Sequence, residues 1–292
     1  MRLERENPAA AAAAWRQALD LLPPGSPEQG AVRERIGAMA AGWPPAAAAT
    51  RRLVPADPWG RAILKTGLSM LVSIVVYYAV FHSLLFAAGF VVLMLIHEMG
   101  HVLATWYFGL SASPPVFIPF VGAVINLREQ PPNALVESIV GIGGPVLGTI
   151  GALACYAAAR AVGGPVGADL MSVAFAGFFL NLFNLLPVPP LDGGRVAAAV
   201  SPWLWLLGLA GLAGLIALEV KSHATYGVLI LIMVLFYGMP RIRATLRTRW
   251  AQAPYYRISR AASWTMGALY LGLGLLLGFM FHHMGGWQAL GA

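Results

Sequence analysis

Seven apolar runs, separated by short and often basic connections, occupy the chain at residues 63–81, 84–108, 138–159, 170–186, 203–218, 225–239 and 263–281. Such runs restrict the choice of solvent. A helix that crosses a bilayer needs about 20 mostly apolar residues, and several of these runs approach that length while others fall short of it. The chain is 59% hydrophobic and 11% charged, whereas soluble domains run about half apolar and a quarter charged. One soluble core cannot bury so much apolar sequence, and lipid is the solvent that can take it. The expected fold is an all-α polytopic membrane protein of about seven transmembrane helices.

The basic residues set the expected orientation. With the N-terminus in the cytosol, the inner connections collect twelve Lys and Arg, among them Arg128, Arg195 and the Arg cluster at 241–260. The outer ones collect only Arg160 and Lys221. That bias is the positive-inside pattern. It also accounts for the net charge of +7 through anionic lipid rather than nucleic acid, which is not expected as a partner. Residues 1–50, rich in Ala, Pro, Arg and Glu, lack the continuous apolar core of a signal peptide. Apolar spacing there suggests two short helices, at about 8–22 and 27–40, broken by Pro23-Pro24-Gly25. The expected organisation is a cytosolic helical hairpin and linker (1–50), a membrane core (51–200) and C-terminal transmembrane helices (201–292). The single cysteine, Cys155, excludes an intramolecular disulfide and a cysteine metal cage.

The second apolar run contains His97-Glu98-Met99-Gly100-His101. Residues i and i+4 share a helix face, about 6 Å apart along the axis, so the two imidazoles can bind one zinc ion. Glu98 is rotated about 100° from His97 and is free to take a proton from an attacking water. H-E-x-x-H also arises by chance, but here the membrane weighs against chance. A carboxylate at the bilayer centre costs about 2.5–3.5 kcal/mol on the insertion scale, so this helix needs a partner for Glu and two His. His101 lies about seven residues before the helix end, which places the site roughly 10–16 Å inside the cytosolic surface.

A third ligand is sought in Asn184-Leu185-Leu186-Pro187-Val188-Pro189-Pro190-Leu191-Asp192-Gly193-Gly194. Its prolines break the helix, and broken backbone at membrane depth needs protein or a wet cavity around it. Asp192 follows the break on the same side as the histidines. The other reading of Asp192-Gly193-Gly194 is a turn that caps the next helix. Between the two motifs, residues 111–127 are apolar but carry Pro114, Pro115 and Pro119. β-Branched and aromatic residues between turn signals suggest a re-entrant β-hairpin there, with an interfacial loop as the alternative.

HEMGH in one span, followed about ninety residues later by NLLPVPPLDGG, resembles the site-2 protease family of intramembrane metalloproteases. The resemblance covers about residues 63–200. It implies one zinc ion held by His97, His101 and Asp192, Glu98 as general base, and Asn184 in contact with substrate near the scissile bond. It also implies a hairpin beside the active site whose free edge pairs with an unwound substrate. The stretch Gly141–Gly148 resembles the family's Gly-rich segment and is read here as helix packing. No PDZ-like insertion fits between the core spans and no CBS-like pair follows them. The expected partners are a membrane-protein or peptide substrate and the lipid bilayer, and the expected location is a prokaryotic cell membrane with the site near the cytosolic face. Two rival readings use the same ligands: a metal-ion transporter, and a zinc-binding inactive scaffold. The first lacks the internal repeat common in transporters, and the second is disfavoured by the presence of Glu98. A prenyl-protein endopeptidase would take its third ligand from a Glu on a later helix, which LDGG does not match. His82, His223, His282 and His283 sit near the outer ends of spans and read as solvated.

Overall fold

The structure is a computed structural model describing residues 59–201, 203–221, 231–232, 234–240, 242–243 and 254–286, with residues 19, 29–30 and 32–33 nearer the N-terminus. The chain divides into two compact units, Met1–Trp59 and Gly60–Ala292. The helical hairpin expected within residues 1–50 falls almost entirely outside the described residues. Helix α1 spans Trp59–Phe81, α2 Leu84–Tyr107, α3 Ala134–Val162, α4 Gly164–Asn184, α5 Asp192–Val200, α6 Leu204–Lys221 and α7 Arg260–His283. Strands β1 (Val116–Ile118) and β2 (Gly122–Val124) lie between α2 and α3.

Five helices among the described residues are long and apolar enough to cross a membrane: Gly60–Phe81, Leu84–Tyr107, Ala134–Val162, Gly164–Asn184 and Arg260–His283. The apolar part of α6, Leu204–Ala217, is shorter, and the run at 225–239 lies largely outside the described residues. Five of the seven expected spans are therefore met among the described residues. The outer faces support a lipid environment: Leu64, Leu68, Leu71 and Val75 of α1 and Leu271, Leu275 and Phe279 of α7 are all more than half exposed. A soluble surface rarely carries contiguous apolar patches of that extent.

Local sequence fixes where the core helices begin and end. The Ser83 hydroxyl accepts from Phe86 N at 3.0 Å and starts α2. The Asn133 side-chain oxygen accepts from Val136 N at 2.9 Å and starts α3. Each satisfies an otherwise orphaned helix N–H. Helix α2 ends where Gly109 takes φ +67° and Leu110 N–H returns to Thr105 O at 3.0 Å, a left-handed stop that a residue with a Cβ resists. Packing of α2 on α3 depends on Gly100 and Gly143. A Cβ on Gly100 would sit 2.1 Å from Gly143 O, and one on Gly143 would sit 2.6 Å from Gly100 O. Lipid tails are as apolar as leucine, so close backbone packing of this kind is what holds membrane helices together.

The hairpin is antiparallel, with Val116 opposite Val124, Phe117 opposite Ala123 and Ile118 opposite Gly122. It hangs from one face of α1. Thr66 Oγ1 donates to Pro115 O at 2.8 Å, Phe117 N donates to Ser69 Oγ at 3.1 Å, and Phe120 N donates to Tyr77 Oη at 3.1 Å. These three contacts explain Thr66, Ser69 and Tyr77 in an otherwise lipid-facing helix. Because Phe117 N–H points away from β2, its opposite number Ala123 turns its own N–H and C=O to the outer edge of β2.

Candidate metal centre

His97 and His101 project from the buried face of α2, one helical turn apart, as i and i+4 require. The chain leaves α4 after Asn184, runs through Leu185–Leu191 and enters α5 at Asp192. Two helices thereby deliver three side chains to one point. His97 Nε2 and His101 Nε2 are 3.2 Å apart. Asp192 Oδ2 lies 3.2 Å from His97 Nε2 and 3.2 Å from His101 Nε2. All three residues are buried. Asp192 does not cap α5: the N-cap is Leu191, and no side chain caps that end.

The proton positions on the two rings follow from their far nitrogens. His101 Nδ1 is 2.7 Å from Val140 O, and a carbonyl only accepts, so Nδ1 carries the proton. His97 Nδ1 is 2.8 Å from Asn181 Oδ1, again an acceptor. In the neutral rings both Nε2 atoms then bear lone pairs. Three electron-rich atoms crowded 3.2 Å apart repel one another unless a cation sits among them. The spacing also suits an ion. Tetrahedral zinc with bonds of about 2.0–2.2 Å separates its ligand atoms by about 3.3–3.6 Å, and two imidazoles with a carboxylate form a familiar zinc donor set. The residues present therefore fit zinc.

Glu98 completes a His97–Glu98–His101 group whose candidate ligand atoms all lie within 4.8 Å of one another. It lines a cavity of about 700 Å³, together with Asn184, Arg195, Phe120 and β2. Asn184 is on the cavity wall rather than in the cluster, and its Nδ2 donates to Leu180 O at 3.1 Å. The break after α4 is held in place by backbone approach. A Cβ on Gly193 would meet Leu185 O at 2.1 Å, and one on Gly194 would meet Pro189 N at 2.4 Å. Trp205 Nε1 donates to Gly194 O at 2.9 Å, and Tyr270 Oη donates to Leu185 O. Asp192-Gly193-Gly194 thus combines a carboxylate with two residues small enough to seat it.

Sequence reading missed Asn181. The signal was present: an amide within an apolar span needs a partner, and Asn181 sits three residues before the Asn184 that the motif singled out.

Membrane-length apolar helices around a buried His–Glu–His group define a membrane protein with a group able to hold a metal. No family model matches the chain. The protein of Mycolicibacterium smegmatis named "Putative zinc metalloprotease Rip2" is 30% identical to it over 148 residues, which cover 40% of this chain and 56% of that protein. The chain therefore spans a little over half the length of the curated relative it matches. The motifs HEMGH and LDGG carry the resemblance to the site-2 protease family, and the name of that relative is that of a zinc metalloprotease.

Proposed function

We propose that this chain is an intramembrane zinc metalloprotease that hydrolyses peptide bonds of membrane-spanning or membrane-proximal substrates. The observation that carries the proposal is the convergence of His97 Nε2, His101 Nε2 and Asp192 Oδ2, mutually 3.2 Å apart. His97, His101 and Asp192 would hold one zinc ion, and Glu98 lines the same cavity as they do. The chemistry that zinc supplies when bound is to acidify a water and polarise a carbonyl. Glu98 takes the proton from the attacking water and returns it to the leaving amine. Asn184, on the cavity wall, orients the substrate backbone. A helical substrate hides its peptide bonds and must unwind first. The outer edge of β2, with the Ala123 N–H and C=O turned outward, offers an unwound segment a strand to pair with. Under this proposal the hairpin is re-entrant, and residues 120–125 and Leu127 line the same cavity as Glu98.

The test compares membranes from cells carrying wild type or Glu98→Gln by mass spectrometry of peptide termini. New termini within or beside membrane spans, present only with wild type, support the proposal. Identical termini in both would remove it.

The orientation is proposed as N-terminus inside, in a prokaryotic cell membrane, with the metal centre nearer the cytosolic face. Gln130, four residues before α3, and Arg160, in its last turn, are exposed. In a Cys155→Ser background, a cysteine at 130 is expected to react with an impermeant thiol reagent only from the cytosolic side, and one at 160 only from outside. Labelling of both from one side contradicts the topology.

A further inference from the structure

We infer that Asn181 is a positioning residue of the metal centre, holding His97 in the tautomer and ring orientation that present Nε2 to the ion. The inference rests on the zinc-site proposal above and extends it to a residue outside the ligand set. Asn181 lies in α4, is 1% exposed, and has both ends of its amide engaged. Nδ2 donates to Gly177 O at 2.7 Å. A carbonyl oxygen cannot donate, so the amide is not free to flip, and Oδ1 must face His97 Nδ1. That in turn requires the proton on Nδ1 and leaves the Nε2 lone pair for the metal. A buried acceptor behind the ligating imidazole fixes the ring and raises its basicity.

The neighbouring helix is shaped around this amide. A Cβ on Gly148 of α3 would lie 2.3 Å from Asn181 Oδ1 and 2.8 Å from Nδ2, so residue 148 must lack a side chain for the amide to stay where it is. Without the amide, the buried His97 Nδ1–H would face an apolar surround with no acceptor. It would regain a partner only by turning the ring or moving the proton to Nε2. Either change removes Nε2 from the ligand set.

The experiment measures the zinc dissociation constant of the purified full chain in detergent, by competition with a chromogenic chelator, for wild type, Asn181→Leu, Asn181→Asp and Gly148→Ala. Asn181→Leu is expected to weaken zinc binding by about 10–100-fold. Asn181→Asp keeps an acceptor for Nδ1–H and is expected to bind within about tenfold of wild type, tighter than the leucine variant. Gly148→Ala, which displaces the amide without removing it, is expected to weaken binding as leucine does; it also keeps the test open if Asn181→Leu does not fold. A purely structural role for Asn181 predicts the reverse order, because leucine suits an apolar helix interface and a buried carboxylate does not. Wild-type-like affinity in the leucine and alanine variants, or weaker binding by aspartate than by leucine, overturns this inference alone. Failure of the wild type itself to bind zinc overturns the site proposal and this inference with it.

Discussion

Asp192→Ala is expected to empty the metal site and abolish hydrolysis together. The substitution removes the proposed third ligand and leaves two imidazoles whose Nε2 atoms are 3.2 Å apart. Catalytic zinc sites use three protein ligands and an open position. Removal of a ligand costs more than the roughly 10–100-fold that attends loss of a residue behind one. Alanine leaves the entry to α5 intact, since Asp192 makes no capping bond there and Gly193 and Gly194 still seat the turn. The measurement is zinc content per chain after dialysis, alongside proteolysis. Zinc content at the wild-type level would return Asp192 to a bystander role and require a different third ligand.

Glu98→Gln is expected to separate the two properties that Asp192→Ala loses together. Glutamine keeps the shape of the side chain and its place on the cavity wall, but its amide cannot take the proton from an attacking water. Zinc content should stay at one ion per chain, because the three ligands are untouched. Hydrolysis should fall by about 10²–10⁴-fold, the usual contribution of a general base. A single-turnover assay on a membrane-peptide substrate identified by its wild-type-dependent termini gives the ratio directly. Full activity in the purified variant would remove Glu98 from the chemistry.

The sequence made some parts of this site legible and hid others, for physical reasons. His97 and His101 could be paired because helix periodicity alone puts i and i+4 on one face, and α2 is a regular helix through both. Asp192 lies 95 residues from His97; it was reachable only through the proline break and a topology that put both on one side. The hairpin within residues 111–127 was read from its turn signals, and two three-residue strands stand there. Its attachment to Thr66, Ser69 and Tyr77 was not foreseen, because single polar residues in an apolar helix do not announce what they bind. The glycines of Gly141–Gly148 were read as packing, which fits Gly143 against Gly100. Gly144 and Gly148 have a sharper use. A Cβ on Gly144 would lie 2.2 Å from His101 Nε2, so the space that these glycines leave is filled by the metal-centre side chains themselves. Asn181 escaped because its meaning is wholly tertiary, created where α4 passes α2 and α3. The run count fell from seven to five among the described residues because α6 is too short in its apolar part and 225–239 lies mostly outside them.

One site built from His97, His101 and Asp192 stands at the centre of the proposed function. Zinc-edge X-ray absorption on the purified wild-type chain, with zinc quantified in the same sample, tests it. The expected result is one zinc per chain, with two imidazole nitrogens at about 2.0–2.1 Å and carboxylate oxygen at about 2.0–2.2 Å, and loss of that zinc in His97→Ala. A chain that retains no zinc, or whose zinc shell is unchanged in His97→Ala, would contradict it.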